Sequence, residues 1–207
     1  MLEKSFVVRP AEPQDDATIA GLVVEGFLDK FRPIFGRRMD RSLRIMEKWV
    51  QLEHSMGGVS SLVIEGPGPA EVPASVGVRI AGSNDDALAR GLWSNLSRSL
   101  GLFHAFWAVT LLSYPRYNAS LSEAYVERLV VTREHRHQGM ARALLDRAEA
   151  LARESEKETI ALHVSGRNLP ALRLYKAYGY EEKSRQRSIL TGYFLGIREW
   201  IYLQKEL

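Results

Sequence analysis

The stretch from Ala124 to Tyr178 alternates between strand-like and helix-like patterns, and this alternation constrains the fold more than any other feature of the chain. A β-rich run over Ala124 to Val131 is followed by a basic loop, an amphipathic segment over Met140 to Arg153, a second β-rich run over Thr159 to Val164 and a second helical segment. Alternation of this kind places parallel strands side by side in a sheet and helices on its faces. The sequence therefore predicts a mixed α/β fold.

The remaining chain adds strands and helices to this unit. β-branched and aromatic residues between turn signals predict strands at Ser5 to Arg9, Ser60 to Glu65, Ser75 to Ala81, Arg187 to Leu190 and Ile197 to Leu203. Apolar residues at helical spacing predict a helix after Pro10 and another over about Arg41 to His54. The turn signal Gly66-Pro67-Gly68-Pro69 predicts that the strands before and after it form an antiparallel pair.

A long helical region is predicted over Asn84 to Tyr117. Leucine and aromatic residues recur there every three or four positions, and the most apolar part, Leu100 to Tyr114, is typical of a buried helix that packs on the sheet. Its surplus of aromatic rings leaves a second interpretation open, in which the helix lines an acceptor pocket or a homodimer interface. We interpret the region as a helical insertion at about 84–117 in a single domain spanning 1–207.

Composition excludes several kinds of site and favours a cytoplasmic location. The 207 residues contain no cysteine, so neither a disulfide nor a thiolate metal site can form. His135 and His137 lack acidic or cysteine residues at metal-ligand spacing, so no metal is expected. The N-terminus lacks the apolar core of a secretory signal, and no segment reaches the roughly 20 apolar residues that cross a bilayer. The net charge of +3 is spread along the chain, so we expect no nucleic-acid partner and no membrane partner.

The loop from Arg136 to Ala141 lies between a strand and the start of a helix, a position that attracts phosphate. The first N–H groups of a helix have no partner inside it, and the helix dipole adds partial positive charge there. Gly139 removes a side chain that would hold an anion away from the backbone, and Ala141 keeps the next position small. A solvated basic turn and a nucleic-acid recognition unit are the competing interpretations, but the strand, loop and helix context favours the phosphate site.

Segments that follow one another along the chain resemble the GNAT N-acetyltransferase superfamily. They are Glu127-Arg128-Leu129-Val130-Val131, then Arg136-x-x-Gly139-x-Ala141, then Asn168-x-x-Ala171-x-x-Leu174-Tyr175-x-x-Tyr178-Gly179-Tyr180. The match covers about 124–180, with mild departures at Ala141, where the family usually has Gly, and at Tyr180, where it usually has Phe. The resemblance implies a GNAT-like acyl-CoA N-acyltransferase fold, a central mixed twisted sheet of about six to seven strands flanked by helices.

The same resemblance implies acetyl-CoA as the co-substrate and suggests its contacts. The pantetheine arm would pair with the backbone of Leu129, Val130 and Val131. The pyrophosphate would lie on the amides of Arg136, His137, Gln138, Gly139, Met140 and Ala141. Asn168, at the start of the second helix, is by its chemistry a helix cap and by resemblance also a cofactor contact.

Transfer to an amine needs a proton acceptor because, with a pKa near 10, only about one amine in a thousand is neutral at pH 7. Glu127 is our candidate base, acting through water, since strand alternation places it on one face with Tyr125 and Leu129. A backbone N–H near Leu129 is expected to stabilise the oxyanion. Tyr175 lies where the resemblance places the general acid. The simpler alternatives are a salt-bridged Glu127 and a core Tyr175.

We therefore expect an N-acetyltransferase that moves the acetyl group of acetyl-CoA to a primary amine by direct attack in a ternary complex. The acceptor, a small molecule or a peptide, is not identified by the sequence. The alternative is a non-catalytic acyl-CoA-binding sensor or regulatory module, since retained cofactor contacts are compatible with both functions.

Overall fold

The computed structural model describes residues 6–66, 68, 71–80, 85–115 and 120–207. The strands are β1 (Val8–Pro10), β2 (Val59–Ile64), β3 (Ala74–Ile80), β4 (Glu123–Val131), β5 (Thr159–Ser165), β6 (Glu181–Arg187) and β7 (Glu199–Glu206). The α-helices are α1 (Asp16–Gly26), α2 (Leu28–Phe35), α3 (Met39–Met56), α4 (Asp85–Leu100), α5 (Leu102–Leu112), α6 (Met140–Glu154), α7 (Leu169–Ala177) and α8 (Ile189–Phe194).

The strands form one mixed sheet in the order β1-β2-β3-β4-β5-β7-β6. β4 and β5 are parallel neighbours, and the other adjacent pairs are antiparallel. The predicted mixed sheet flanked by helices is confirmed, with seven strands. The predicted antiparallel pair is β2 and β3. Parts of some predictions lie outside the described residues, namely Ser5, Pro67, Pro69, Ala81, Asn84 and Tyr117.

The prediction for the C-terminal part was wrong at one strand. The chain from Arg187 to Leu190 is not a strand, because β6 ends at Arg187 and α8 begins at Ile189. Ser188 caps this helix, since its side chain accepts a hydrogen bond from the N–H of Thr191 at 3.1 Å. β6 itself consists of Glu181–Arg187 and is exposed at every residue, so it lacks the apolar alternation by which strands are found in a sequence.

Helices cover both faces of the sheet, and each face has its own apolar core. On one face, called the α6 face below, α6 packs against β2, β3 and β4, and the cluster includes Leu144, Leu145, Val76, Val126 and Leu162. The opposite face is called the α3 face below. There α1 and α3 pack on each other, α1 packs on β4, and α3 packs on β2. The apolar cluster of this face includes Ile19, Val23, Val50, Val63 and Val130.

The helical region after β3 is two helices rather than one buried helix. Gly101, in a left-handed conformation with φ 79°, separates α4 from α5. α4 packs mainly on α3 and α5, and α5 also contacts α2. Their buried side chains share apolar clusters with the sheet, since Leu96 lies with Val63 and Val130, and Leu111 with Trp200. Large apolar side chains remain exposed, with 71% of Phe103 and 59% of Phe106 accessible. The interpretation as an insertion at about 84–117 in a single domain of 1–207 stays a prediction.

No helix in the described part of the chain is long and apolar enough to cross a membrane.

Two substitutions in the helical region should have different effects on stability. Leu96 is fully buried on α4, so Leu96→Ala should lower the free energy of unfolding by about 2–5 kcal/mol. Phe103→Ala on α5 should change it by less than about 0.5 kcal/mol, because most of the ring is already in solvent. Urea denaturation measures both, and equal losses would contradict the outward orientation of Phe103.

Candidate active site

β4 and β5 run side by side for only part of their length, which opens the middle of the sheet. Their pairing covers Glu123 to Val126 of β4 and ends at Leu162 of β5. Both strands continue, β4 to Val131 and β5 to Ser165. The second half of β4 therefore pairs with β3 on one side and, within the described residues, has no strand on the other.

The backbone groups on this open side belong to Leu129 and Val131. The N–H of Thr132 donates to the carbonyl oxygen of Pro73, beside β3, at 2.9 Å. In antiparallel pairing, every second residue bonds to the same neighbour, so Val130 faces β3 as well. The N–H and C=O groups of Leu129 and Val131 consequently face the opening. Among the predicted pantetheine contacts, Leu129 and the N–H of Val131 are open, whereas the C=O of Val131 accepts from Arg136 Nε and Val130 is used in the pairing with β3. The contacts themselves stay predictions.

The backbone N–H groups of the loop after β4 are a second feature of the site. The first amides of α6 that donate to the backbone are those of Arg142 and Ala143, and both bond to the carbonyl oxygen of Gly139, at 3.0 and 3.1 Å. Among the described residues, the N–H groups of 138–141 donate to no acceptor. They lie ahead of a helix of 15 residues, where the helix dipole adds partial positive charge. This arrangement fits an anion.

Gly139 is explained by its backbone conformation. Its φ of 93° lies in the left-handed region, which disfavours any side chain. A Cβ atom at this position would meet only the ring of Phe6, at an ordinary distance of 3.6 Å, so space is not the limit. His137 is also left-handed, with φ 61°. The loop therefore follows a path that leaves its amides exposed.

The side chains of the loop divide between solvent and core. Arg136, His137 and Gln138 are exposed, and Arg136 Nε donates to the carbonyl oxygen of Val131 at 3.2 Å, so its guanidinium lies at the end of the opening. Met140 is 5% exposed and belongs to the α6-face core, so only its backbone can contact a ligand. The predicted contacts of this loop are therefore mostly backbone contacts, apart from Arg136.

Tyr175 lies on α7, and Asn168 lies at the start of this helix. Asn168 is the helix cap that its chemistry predicts, since its Oδ1 accepts from the N–H of Ala171 at 3.2 Å. Tyr175 packs in the α6-face core with its ring centroid 5.7 Å from that of Tyr180. Burial raises the pKa of Tyr175 to about 12, so its hydroxyl keeps its proton at neutral pH and can act as a donor.

A β-bulge places Glu127 on the α3 face of the sheet, whereas Leu129 lies on the α6 face. Gly77 lies opposite Arg128 and Val78 lies opposite Val126, so Glu127 is an extra residue in β4. The extra residue reverses the alternation, and the prediction that Glu127 shares a face with Leu129 was therefore wrong. Leu129 packs on the α6-face core. Glu127 instead forms an ion pair with Arg79 of β3, which lies opposite Tyr125 in the register.

A buried ion pair holds the bulge in place. Arg128, 6% exposed, extends from β4 to Glu53 of α3, which is 2% exposed, and the Nη2 to Oε2 distance is 2.6 Å. Arg128 also donates to Ser61 Oγ of β2 at 2.9 Å. Gly77 leaves room for the guanidinium, since a Cβ atom there would come within 2.9 Å of its central carbon. The pair joins α3 to the strand segment where the opening begins, and losing one partner would leave a buried charge.

The α3 face next to Glu127 contains a polar cluster that sequence reasoning missed. Tyr125 Oη lies 2.9 Å from His163 Nδ1, and the His163 ring lies 5.1 Å from that of Tyr202. Tyr202 Oη donates to the buried Glu123 Oε2 at 2.6 Å, as does Gln204 Nε2. Alternation along β5 and β7 could have placed His163 and Tyr202 on one face, but only once the β5–β7 pairing was known.

Lys30 of α2 was also missed, and it lies over the same face. Its Nζ is 4.5 Å from the ring centroid of Trp200 on β7 and 5.6 Å from that of Phe27. Burial lowers the pKa of Lys30 to about 8, although the negative charges of Asp29 and Glu127 act in the opposite direction. Burial, and secondly the charge of Lys30, lowers the pKa of His163 to about 4. The imidazole is therefore neutral at pH 7.

Within the described residues, no group of three or more His, Asp or Glu side chains is arranged to hold a metal ion.

A comparison with protein-family models finds one family for the elements around the opening. Residues 102–180 match the acetyltransferase (GNAT) family. This range contains β4, the amide-rich loop, α6, β5 and α7. The resemblance found in the motifs is confirmed. No curated protein is similar enough in sequence to count as a relative.

Solved GNAT acetyltransferases share the fold over nearly the whole chain. A structure described as an acetyltransferase aligns with a TM-score of 0.68 and 20% identity, covering 97% of this chain and 98% of the other. A ribosomal-protein-alanine N-acetyltransferase from Brucella melitensis aligns with a TM-score of 0.65 and 14% identity, covering 97% and 99%. A putative acetyltransferase from Salmonella typhimurium, solved with its cofactor acetyl-CoA, aligns with a TM-score of 0.62 and 16% identity, covering 99% and 95%.

His163 should make stability depend on pH below neutrality. Its pKa is about 4 in the folded protein and about 6.5 when unfolded, so between these values only the unfolded chain binds the proton and stability falls as pH falls. From pH 7 to pH 5 this should remove about 1 kcal/mol, a value reduced for partial exposure. Urea denaturation at both values should show a smaller loss for His163→Gln. Identical pH dependence in the two proteins would mean that His163 is not buried as a neutral ring.

Proposed function

We propose that the protein is an N-acetyltransferase that moves the acetyl group of acetyl-CoA to a primary amine of a small molecule or a peptide. The observation that carries this proposal is the opening between β4 and β5, with two backbone positions of β4 on one side and the unpaired amides of residues 138–141 at its end. A thioester arm fits the first feature and a diphosphate fits the second. A cytoplasmic location, a homodimer, and the lack of nucleic-acid or membrane partners stay predictions.

The residues near the opening fit acetyl-CoA. The amides of residues 138–141 and the guanidinium of Arg136 would hold the pyrophosphate, and Leu129 and Val131 would bind the pantetheine arm through their backbone groups. Asn168, at the start of α7, would provide a further contact. When bound, acetyl-CoA supplies an activated acyl group whose thiol can leave. Structures from Salmonella typhimurium and Thermoplasma acidophilum contain acetyl-CoA and coenzyme A, respectively.

The chemistry would take place across the opening, from one face of the sheet to the other. Glu127, on the α3 face, would take a proton from the acceptor ammonium through water, so that the amine can attack the carbonyl carbon. The N–H of Leu129 faces the opening and would stabilise the oxyanion. Tyr175, on the α6 face, would give its proton to the sulfur as the carbon–sulfur bond breaks. The products are the N-acetylated amine and the free thiol, and the second proton that leaves the nitrogen restores the Tyr175 hydroxyl.

One observation favours the alternative of a non-catalytic acyl-CoA-binding module. Glu127 is held in an ion pair by Arg79. The acceptor or a water must displace Arg79 before the carboxylate can take a proton. The two functions differ in turnover rather than in cofactor binding.

Substituting Tyr175 should separate catalysis from binding. Tyr175→Phe keeps the ring in the α6-face core but removes the proton donor, so the rate of thiol release with a saturating amine should fall about 100-fold or more. Affinity for acetyl-CoA, measured by calorimetry, should stay within about twofold because the hydroxyl is used in the chemical step only. An unchanged rate would remove Tyr175 from the mechanism. Tight binding without turnover on any amine would support the sensor.

Substituting Gly139 should test the anion site. Gly139→Ala forces a side chain into a left-handed residue, which should shift the loop and weaken coenzyme A binding about tenfold or more. Gly36→Ala is the matched control, because Gly36 also has a positive φ of 52° and open space around its Cβ position but precedes α3. Calorimetry on both variants measures the effect. Equal affinities would argue against a diphosphate at this loop.

A further inference from the structure

The positive charge of Lys30 has no bonded partner in the described part of the chain. The ammonium contacts the rings of Trp200 and Phe27, and it makes no hydrogen bond or ion pair with a described residue. A cation–π contact lowers the cost of removing a charge from water but does not replace its hydrogen bonds. Lys30 therefore has donors left for a ligand.

Two carboxylates on this face are held by groups other than Lys30. Glu127 pairs with Arg79, and Glu123 accepts hydrogen bonds from Tyr202 and Gln204. Asp29 and Glu127 are near enough to act on Lys30 through their charges, and His163 is near enough to be affected by it. None of these carboxylates forms an ion pair with the Lys30 ammonium within the described residues, so the ammonium can still bind an anion.

The position of Trp200 is fixed, so the place of the ammonium is fixed as well. The indole Nε1 donates to Thr191 Oγ1 at 3.1 Å, and Thr191 Oγ1 donates to the carbonyl oxygen of Ile197 at 2.6 Å. Trp200 is 3% exposed. A simple alkylamine that entered this space as an ammonium ion would be repelled by Lys30, whereas an amine with a carboxylate would place a negative charge next to the Lys30 ammonium.

We propose that Lys30 binds a carboxylate of the acceptor, so that the acceptor is an amine that also carries a carboxylate group, as an amino acid does. This inference rests on the proposed acetyl transfer, and it defines the acceptor class of the same site. A carboxylate is favoured over a phosphate because a single ammonium between aromatic rings offers one charge, whereas phosphate sites commonly combine several cationic or backbone donors. Phe27, which is partly exposed, would contact the hydrocarbon part of the acceptor.

Matched pairs of acceptors test the proposal. Each pair is an amino acid and its decarboxylated amine: L-phenylalanine and 2-phenylethylamine, β-alanine and ethylamine, γ-aminobutyrate and propylamine. In at least one pair, the wild-type kcat/KM should be about 10- to 100-fold higher for the amino acid, the value of a charge-assisted hydrogen bond. Lys30→Met should abolish this ratio by raising KM for the amino acid. Lys30→Arg should keep part of it, and Lys183→Met, on exposed β6, should keep all of it.

A measurement without turnover separates this proposal from the proposed function. Reductive methylation of Lys30, followed by peptide mass spectrometry, should be slowed by 3-phenylpropionate and not by 3-phenylpropanol. Protection by the carboxylate with no amine acetylated would retain the carboxylate site and overturn the transferase. Acetylation without protection and without preference for amino acids would overturn the carboxylate site and retain the transferase. If a folded Lys30→Met variant kept the higher kcat/KM for the amino acid over its decarboxylated amine, the role of Lys30 would also be overturned.

Discussion

The early end of the pairing between β4 and β5 is the constraint on which the rest of the site depends. A fully paired β4 would use its N–H and C=O groups in the sheet and would leave no opening between β4 and β5. The bulge at Glu127 and the buried ion pair between Arg128 and Glu53 lie where the opening begins. Because that ion pair joins β4 to α3, the helix that covers one face also fixes the strand that lines the opening.

The two faces of the sheet provide different functional groups to this opening. The α6 face combines backbone amides, a dipole and a buried phenol, Tyr175, a set that suits a polyanion and a leaving group. The α3 face combines carboxylates, a neutral imidazole and a lysine among aromatic rings. If two substrates enter from opposite faces, both reach the same opening, so no group needs to move through the sheet for them to react.

The sequence predicted the α6 face well because its signals are local. The strand, loop and helix around Gly139 follow one another along the chain, and the cap at Asn168 depends on residues only three apart. The α3 face depends on pairing between distant segments. His163 and Trp200 meet Lys30 only because β7 inserts between β5 and β6, an order that no spacing in the chain indicates. The bulge moved Glu127 to another face for a similar reason, as its cause lies in the register with β3.

The helices after β3 show how apolar spacing can mislead. Leucine and aromatic residues recur through the region, but Gly101 turns the chain, and Phe103 and Phe106 then point away from the protein. A hydrophobic pattern predicts that a segment is helical, but the position of a break in the helix determines which of its residues are buried in the core. The same limit applies to β6, where a strand forms by pairing with β7 and without apolar residues of its own.

The two ends of the sheet have a consequence for how copies of the protein meet. β1 is three residues long and ends in Pro10, which has no N–H to offer. β6 is longer, but Lys183, Arg185 and Arg187 on it are engaged in ion pairs. Docking another strand there would strip water from these charges. These features disfavour the addition of another strand at either border of the described sheet.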